Sequence, residues 1–154
     1  MREIIFRGKR TSTKEWVEGD LQQDRDLEQF YIYGYDYYTD GGGLEREEFC
    51  FEVLPDTVGQ YAGLTDKNGK KIFEGDRLTV PDDEIDEAVV EFGSGSFRIS
   101  LYGNRGATME YGWDETAGGY GIVESEPIEF YGVNEVEVIG NIFDNSDLLK
   151  EGAN

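Results

Sequence analysis

Apolar side chains recur at every second position along much of this chain, and that period of two limits its fold more than any other feature. In Glu48-Phe49-Cys50-Phe51-Glu52-Val53, Phe49, Phe51 and Val53 share one face; in Ser96-Phe97-Arg98-Ile99-Ser100-Leu101, Phe97, Ile99 and Leu101 do the same. Residues 4–6, 16–21, 30–35, 77–80, 87–92, 128–131 and 136–143 also read as strands. Twenty-one glycines among 154 residues separate these segments with tight turns, as in β-barrels and sandwiches. A mostly β fold with small α content is expected. The one helix start lies in the tail, where Asn145 or Ser146 caps a short C-terminal helix over residues 147–150 before Gly152 stops it. A chain of this length buries about 68–70% of its unfolded surface, so a core is expected without metal or disulfide staples. The 38% hydrophobic and 14% aromatic content supplies that core.

The chain has no histidine and a single cysteine, Cys50. His-dependent triads, His/Cys metal sites, CxxC redox chemistry and an intramolecular disulfide are thereby excluded. Between two phenylalanines, Cys50 reads as a buried structural residue in acidic surroundings that would not activate a thiolate. The formal charge is −20. Residues 1–54 carry 7 basic and 13 acidic groups, residues 55–80 carry 4 and 4, and residues 81–154 carry 3 and 17. Such a field repels phosphates and anionic membranes, so direct nucleic-acid binding is not expected. Arg2, Arg7, Lys9, Arg10 and Lys14 cluster near the start, and they read as counter-charge to the acidic remainder in preference to an anion-binding arm. No apolar run reaches the length of a membrane span, and Met1-Arg2-Glu3 does not open a signal peptide, so a soluble cytoplasmic protein is expected.

Several motifs resolve into ordinary structure. Asp66-Lys67-Asn68-Gly69-Lys70-Lys71 contains the Asn-Gly hairpin signal and lacks the ligand spacing of a calcium loop. Gly93-Ser94-Gly95-Ser96 leads into an alternating strand, so it reads as a hairpin turn and not as a phosphate cradle. Asp82, Asp83, Glu84 and Asp86 form a carboxylate run that reads as a solvated loop, with divalent-cation uptake as the alternative. Trp16-Val17-Glu18-Gly19-Asp20-Leu21 is echoed by Ile72-Phe73-Glu74-Gly75-Asp76-Arg77-Leu78, which predicts two similar strand-turn corners of the kind found in small SH3-like barrels. In Phe30-Tyr31-Ile32-Tyr33-Gly34-Tyr35-Asp36-Tyr37-Tyr38, the rings of Tyr31, Tyr33, Tyr35 and Tyr37 share one face. No basic residue lies between Asp26 and Glu45, which argues against base stacking. The stripe reads either as a half-buried strand with hydroxyls at its rim or as a surface that grips a protein partner through Tyr33, Tyr35 and Tyr37. Thr39-Asp40-Gly41-Gly42-Gly43 reads as a flexible loop that ends it.

Three blocks stand out together: Phe6-Arg7-Gly8-Lys9-Arg10 with Glu15-Trp16-Val17-Glu18-Gly19-Asp20-Leu21; residues 57–76, from Thr57-Val58-Gly59-Gln60-Tyr61 to Phe73-Glu74-Gly75-Asp76; and Val138-Ile139-Gly140-Asn141-Ile142-Phe143-Asp144-Asn145. Together they resemble the YopX family, small proteins encoded by bacteriophages and prophages. Residues 22–52 and 81–135 carry no matching motif. The resemblance implies a mostly β protein with an SH3-like barrel portion, and it brings no activity, cofactor or catalytic position to map. A single domain over residues 1–154 is expected, with an N-terminal lobe over 1–54 and a barrel-like portion over 55–145. Gln60, Asn141 and Asp144, polar residues within the blocks, read as capping and turn-bonding groups in preference to a ligand site.

The expected function is that of a non-enzymatic accessory protein, without cofactor or metal, that binds a host or phage protein. Two alternatives differ in kind. An acidic nucleic-acid mimic would place the carboxylates of residues 81–154 on one face like backbone phosphates, and a carboxylate-dependent metal enzyme would use Asp82, Asp83, Glu84 and Asp86.

Overall fold

A computed structural model describes residues 3–79, 87–93, 96–103, 121–127 and 135–144. Eleven strands follow in order among them: β1 Phe6–Lys9, β2 Trp16–Asp24, β3 Gln29–Asp40, β4 Gly43–Val53, β5 Gly59–Thr65, β6 Lys71–Phe73, β7 Asp76–Thr79, β8 Glu87–Gly93, β9 Ser96–Gly103, β10 Gly121–Pro127 and β11 Glu137–Asn141. The helical content of the described residues is one 3₁₀ turn at Pro55–Thr57. The chain forms two compact units, Met1–Tyr61 and Ala62–Asn154.

In the first unit the sheet order is β4-β3-β2-β1-β5. Phe6 faces Gly19 and Lys9 faces Trp16 across β1 and β2, while Asp20 to Asp24 pair with Tyr33 to Gln29 across β2 and β3. Alternation then sorts the side chains, because residues directly opposite one another share a face. Ile32 and Val53 are fully buried on one face. On that face Phe49 stacks on Phe51 with ring centroids 5.4 Å apart, and the Arg10 guanidinium lies 3.7 Å from the Phe51 ring centre. The opposite face carries the tyrosines. At its far end β4 returns to β1: Thr11 N–H donates to the Glu52 carbonyl, Leu54 N–H donates to the Lys9 carbonyl, and Arg10 bridges Val53. Thr57 secures this junction, accepting from Lys9 N–H at 2.9 Å and donating to the Leu54 carbonyl at 2.7 Å.

In the second unit the later residues of β5 run beside β6, and a separate antiparallel sheet has the order β10-β9-β8-β7-β11. Its core gathers Ala62, Ile72, Leu78, Ala88, Val90, Phe97, Ile99 and Val136. Register explains the grouping: Leu78 pairs with Ala88 and with Val138, and Val90 pairs with Ile99. Asp66 organises the turn from β5 to β6. Its carboxylate accepts from Asn68 N–H and Lys70 N–H on Oδ1 and from Val138 N–H on Oδ2, each at 2.9 Å, which fixes β11 beside the turn. Burial acts to raise its pKa, but the three backbone donors, with the Lys70 charge, outweigh burial and hold it below the ordinary 3.8. Gly69 takes φ +80° in the same turn, as the Asn-Gly pair predicts.

Three expectations are corrected. Among the described residues the fold is two antiparallel sheets, and no closed SH3-like barrel forms. Closure of the five-stranded sheet would require its edges β10 and β11 to pair, and the described pairing leaves them at opposite ends. The echoed Glu-Gly-Asp segments are not similar corners. Glu74-Gly75 is a turn, with Gly75 at φ +88° beneath the Phe143 ring, whereas Glu18-Gly19-Asp20 runs straight through β2. There Gly19 lets the Tyr33 carbonyl approach where a Cβ would stand. Finally, Thr39 to Gly43 is no loose loop: Asp40 pairs with Gly43, and Gly41-Gly42 makes a two-residue hairpin turn. The expected C-terminal helix over residues 147–150 and the expected strand over 128–131 lie outside the described residues. The last described residues form a turn in which Asn141 Oδ1 accepts from Phe143 N–H and Asp144 N–H, and Asn141 Nδ2 donates to Asp144 Oδ2.

Candidate partner-binding arm

Hairpin β3–β4 is far longer than the strands that flank it. β2 pairs with β3 only as far as Tyr33, so, among the described residues, 34–40 and 43–49 pair with each other alone and continue the sheet as a two-stranded arm. At roughly 3.3 Å per residue the arm extends about 20 Å beyond the last β2 pair. A two-stranded ribbon has little intrinsic stability in water, so this one depends on its root and on cross-strand side chains.

Those side chains are well defined. On the tyrosine face, Tyr33 is opposite Cys50, Tyr35 opposite Glu48, and Tyr37 opposite Arg46. Tyr33 donates its hydroxyl hydrogen bond to the Tyr35 hydroxyl at 3.0 Å, and the two rings meet edge to face at 5.5 Å. The Arg46 guanidinium sits 4.6 Å from the Tyr35 ring centre, a cation–π contact. The bond to Tyr35 raises the Tyr33 pKa, with burial and the neighbouring Glu48 carboxylate adding to it, so this phenol stays neutral well into alkali. Tyr31 donates to Gln29 Oε1 at 2.7 Å.

Exposure changes along the stripe. Tyr33 and Tyr35 are half-buried, whereas Tyr37 is 62% exposed, Tyr38 on the other face 49%, and Leu44 at the tip 72%. The three candidate residues therefore share one face, with Tyr33 and Tyr35 forming the ordered rim of a strand and Tyr37 exposed beyond them. Cys50 is exposed, which corrects the expectation of burial: alternation that turns Phe49 and Phe51 inward turns Cys50 onto the tyrosine face. Of the basic residues near the start, Arg7, Lys9, Arg10 and Lys14 are engaged internally, and Arg2 lies outside the described residues. Arg7 and Lys9 lie 4.7 and 5.5 Å from the Trp16 ring centre, Arg10 pairs with Glu15 at 3.6 Å, and Lys14 Nζ donates to the Thr11 carbonyl.

β4 is the outer strand of its sheet. Because Glu52 C=O and Leu54 N–H point to β1, and the β3–β4 register runs without a shift, every even residue of β4 directs its backbone N–H and C=O away from β3. Beyond Glu52 these are Cys50, Glu48, Arg46 and Leu44. Sequence reasoning did not find this edge, because it ended the strands at Tyr35 and began them at Glu48. The Gly41-Gly42 pair between two alternating runs was the available hairpin signal.

No three potential ligand side chains converge as a metal site among the described residues, and Asp82, Asp83, Glu84 and Asp86 lie outside them. No described helix is long and apolar enough to cross a membrane. The family model described as YopX protein matches residues 5–150. The chain belongs to the YopX family. No curated protein matches this YopX chain significantly. Among solved structures it is similar to the crystal structure of protein EF1440 from Enterococcus faecalis, at 20% identity and a TM-score of 0.49, over 97% of this chain and 99% of that one.

Proposed function

We propose that this YopX-family protein is a non-enzymatic protein-binding module that engages its partner through the β3–β4 arm. The observation that carries the reading is the arm itself, a self-paired ribbon that holds Tyr37, Tyr38 and Leu44 in solvent far from the fully buried Ile32. Exposed rings on a defined scaffold suit protein recognition, since tyrosine contributes large contact area with few rotors. The anchoring of Tyr33 and Tyr35 beneath them keeps the face ordered before binding, which lowers the entropy cost of association. A host or phage protein is the partner that family membership suggests.

The test is affinity capture from bacterial lysate with wild type beside Tyr37→Ser/Leu44→Ser and Tyr33→Ala/Tyr35→Ala/Tyr37→Ala, each verified as folded by circular dichroism. A protein retained by wild type and lost from both variants, then bound by purified wild type in calorimetry, is the expected result. Equal retention by all three contradicts an arm-mediated role, and turnover of a substrate by the purified protein contradicts the non-enzymatic one.

A further inference from the structure

We infer that the outer edge of β4, from Leu44 to Cys50, accepts an extended cationic peptide segment of the partner as an added β-strand. This deepens the function proposed above and rests on it. Strand addition needs an exposed edge whose backbone groups lack partners, and a side-chain pattern that selects the incoming strand. Both are present. Outward-facing backbone groups recur at Leu44, Arg46, Glu48 and Cys50, and all four residues are exposed. The same edge is already used for pairing one step further on, where Glu52 C=O accepts from Thr11 N–H at 3.0 Å. An incoming strand would therefore continue a ladder begun within the molecule.

Charge identifies the occupant. Between Gly34 and Phe49 the arm carries Asp36, Asp40, Glu45, Glu47 and Glu48 against Arg46 alone. Glu45 and Glu47 project from one face of β4 and Glu48 from the other, so lysine or arginine at alternate positions of an added strand meets Glu45 and Glu47 together. A second copy of this chain would set Glu45, Glu47 and Glu48 against the same residues within a protein of charge −20, which favours a basic partner over self-association. Edge carboxylates also discourage aggregation. They do so by repelling acidic strands and by the cost of desolvating unpaired charge against neutral ones, and the same charges admit a basic strand.

The experiment separates strand addition from general attraction of a polycation to an acidic surface. The probe is an acetylated, amidated Lys-Val-Lys-Val-Lys-Val-Lys peptide, and the control is the same peptide N-methylated at its valines, equal in charge but unable to donate those backbone hydrogen bonds. Binding to the full chain is measured by calorimetry, and amide exchange is followed by NMR. The expected result is protection of the Leu44, Arg46, Glu48 and Cys50 amides on binding, with the N-methylated peptide at least about tenfold weaker, as the loss of a few ladder bonds implies. Arg46→Pro adds a second test: it removes one outward N–H at an edge position that tolerates proline while making the protein more negative. Strand addition predicts weaker binding, and charge attraction predicts equal or tighter binding. Equal affinity for both peptides, protection elsewhere, or concentration-dependent protection of these amides without peptide would overturn the inference, the last outcome pointing to a second copy. Peptide binding at the edge that survives Tyr37→Ser, a change on β3 outside that edge, would leave strand addition standing even if lysate capture by the tyrosine face failed.

Discussion

Ala88, Val89 and Val90 in β8 and Tyr37 and Tyr38 in β3 are consecutive residues on antiparallel strands, yet they have opposite fates. The β8 residues are buried on both faces of their sheet, at 0%, 2% and 0% exposure, whereas the β3 residues present a ring to solvent on each face. Both segments are laddered, β8 to β7 and to β9, the distal half of β3 to β4 on one side. The difference lies in the surroundings: β8 runs between β7 and β9 with Ala88 and Val90 packed in the apolar core, while among the described residues the distal half of β3 has only β4 beside it. Hydrogen bonding builds either strand, but only the covered one contributes to stability by removing apolar surface from water. The exposed one is left available for recognition.

The sharpest way to break this contrast is to truncate side chains in both regions. Ile99→Ala is expected to destabilise the protein by about 2–5 kcal/mol in urea unfolding, while Tyr37→Ala and Leu44→Ser change stability by less than about 0.5 kcal/mol. A comparable loss from the arm variants would mean that the arm is packed in solution. Gly19→Ala and Gly75→Ala come next. The first forces β2 away from the Tyr33 carbonyl and should cost about 1–3 kcal/mol; the second places alanine at φ +88° and should cost about 1–2 kcal/mol. If Gly19→Ala were neutral, the close pairing at the root of the arm would be wrong.

Asp66→Asn tests the polar side of the covered region. One carboxylate oxygen would be replaced by an amide that cannot accept from Val138 N–H, at a cost of about 1–3 kcal/mol at neutral pH. Since the folded carboxyl titrates below its ordinary value, its contribution is present above that value and fades as the pH falls toward the folded pKa. Wild type should therefore lose stability between about pH 5 and 3 more steeply than the variant. Parallel curves would contradict the assigned hydrogen bonds. The smallest effect is expected at Tyr33, whose raised pKa makes the neutral phenol the favoured form; stability should decline as the pH rises above 10, and less so in Tyr33→Phe.

Much of this contrast was readable from residue order. Period two identified the strands around Phe49, Phe51 and Val53 and around Phe97, Ile99 and Leu101, and Asn-Gly identified the turn at Asp66 to Lys70. The placement of the four tyrosines on one face of β3 was also readable, since it needs only alternation. Three things were not. Gly19 and Gly75 occur in nearly the same local sequence, and only neighbouring strands decide that one is a close approach and the other a turn. Cys50 was misplaced because its two phenylalanine neighbours suggest burial, although alternation sends them to the other face. The arm was hidden because Asp36, Asp40, Glu45 and Glu47 interrupt the apolar pattern, and charged residues are what a strand without a covering layer carries on both faces. The open edge of β4 follows from strand order, which no local pattern encodes.

Amide hydrogen exchange along β4 of the free, full-length protein tests the central claim most directly. Alternation is expected: Glu45, Glu47 and Phe49, bonded to β3, are protected, and Leu44, Arg46, Glu48 and Cys50, directed outward, exchange at least about tenfold faster. Uniform protection along the strand would show that the edge is already occupied, and uniformly fast exchange would show that the arm does not form; either result contradicts an ordered arm with an open edge.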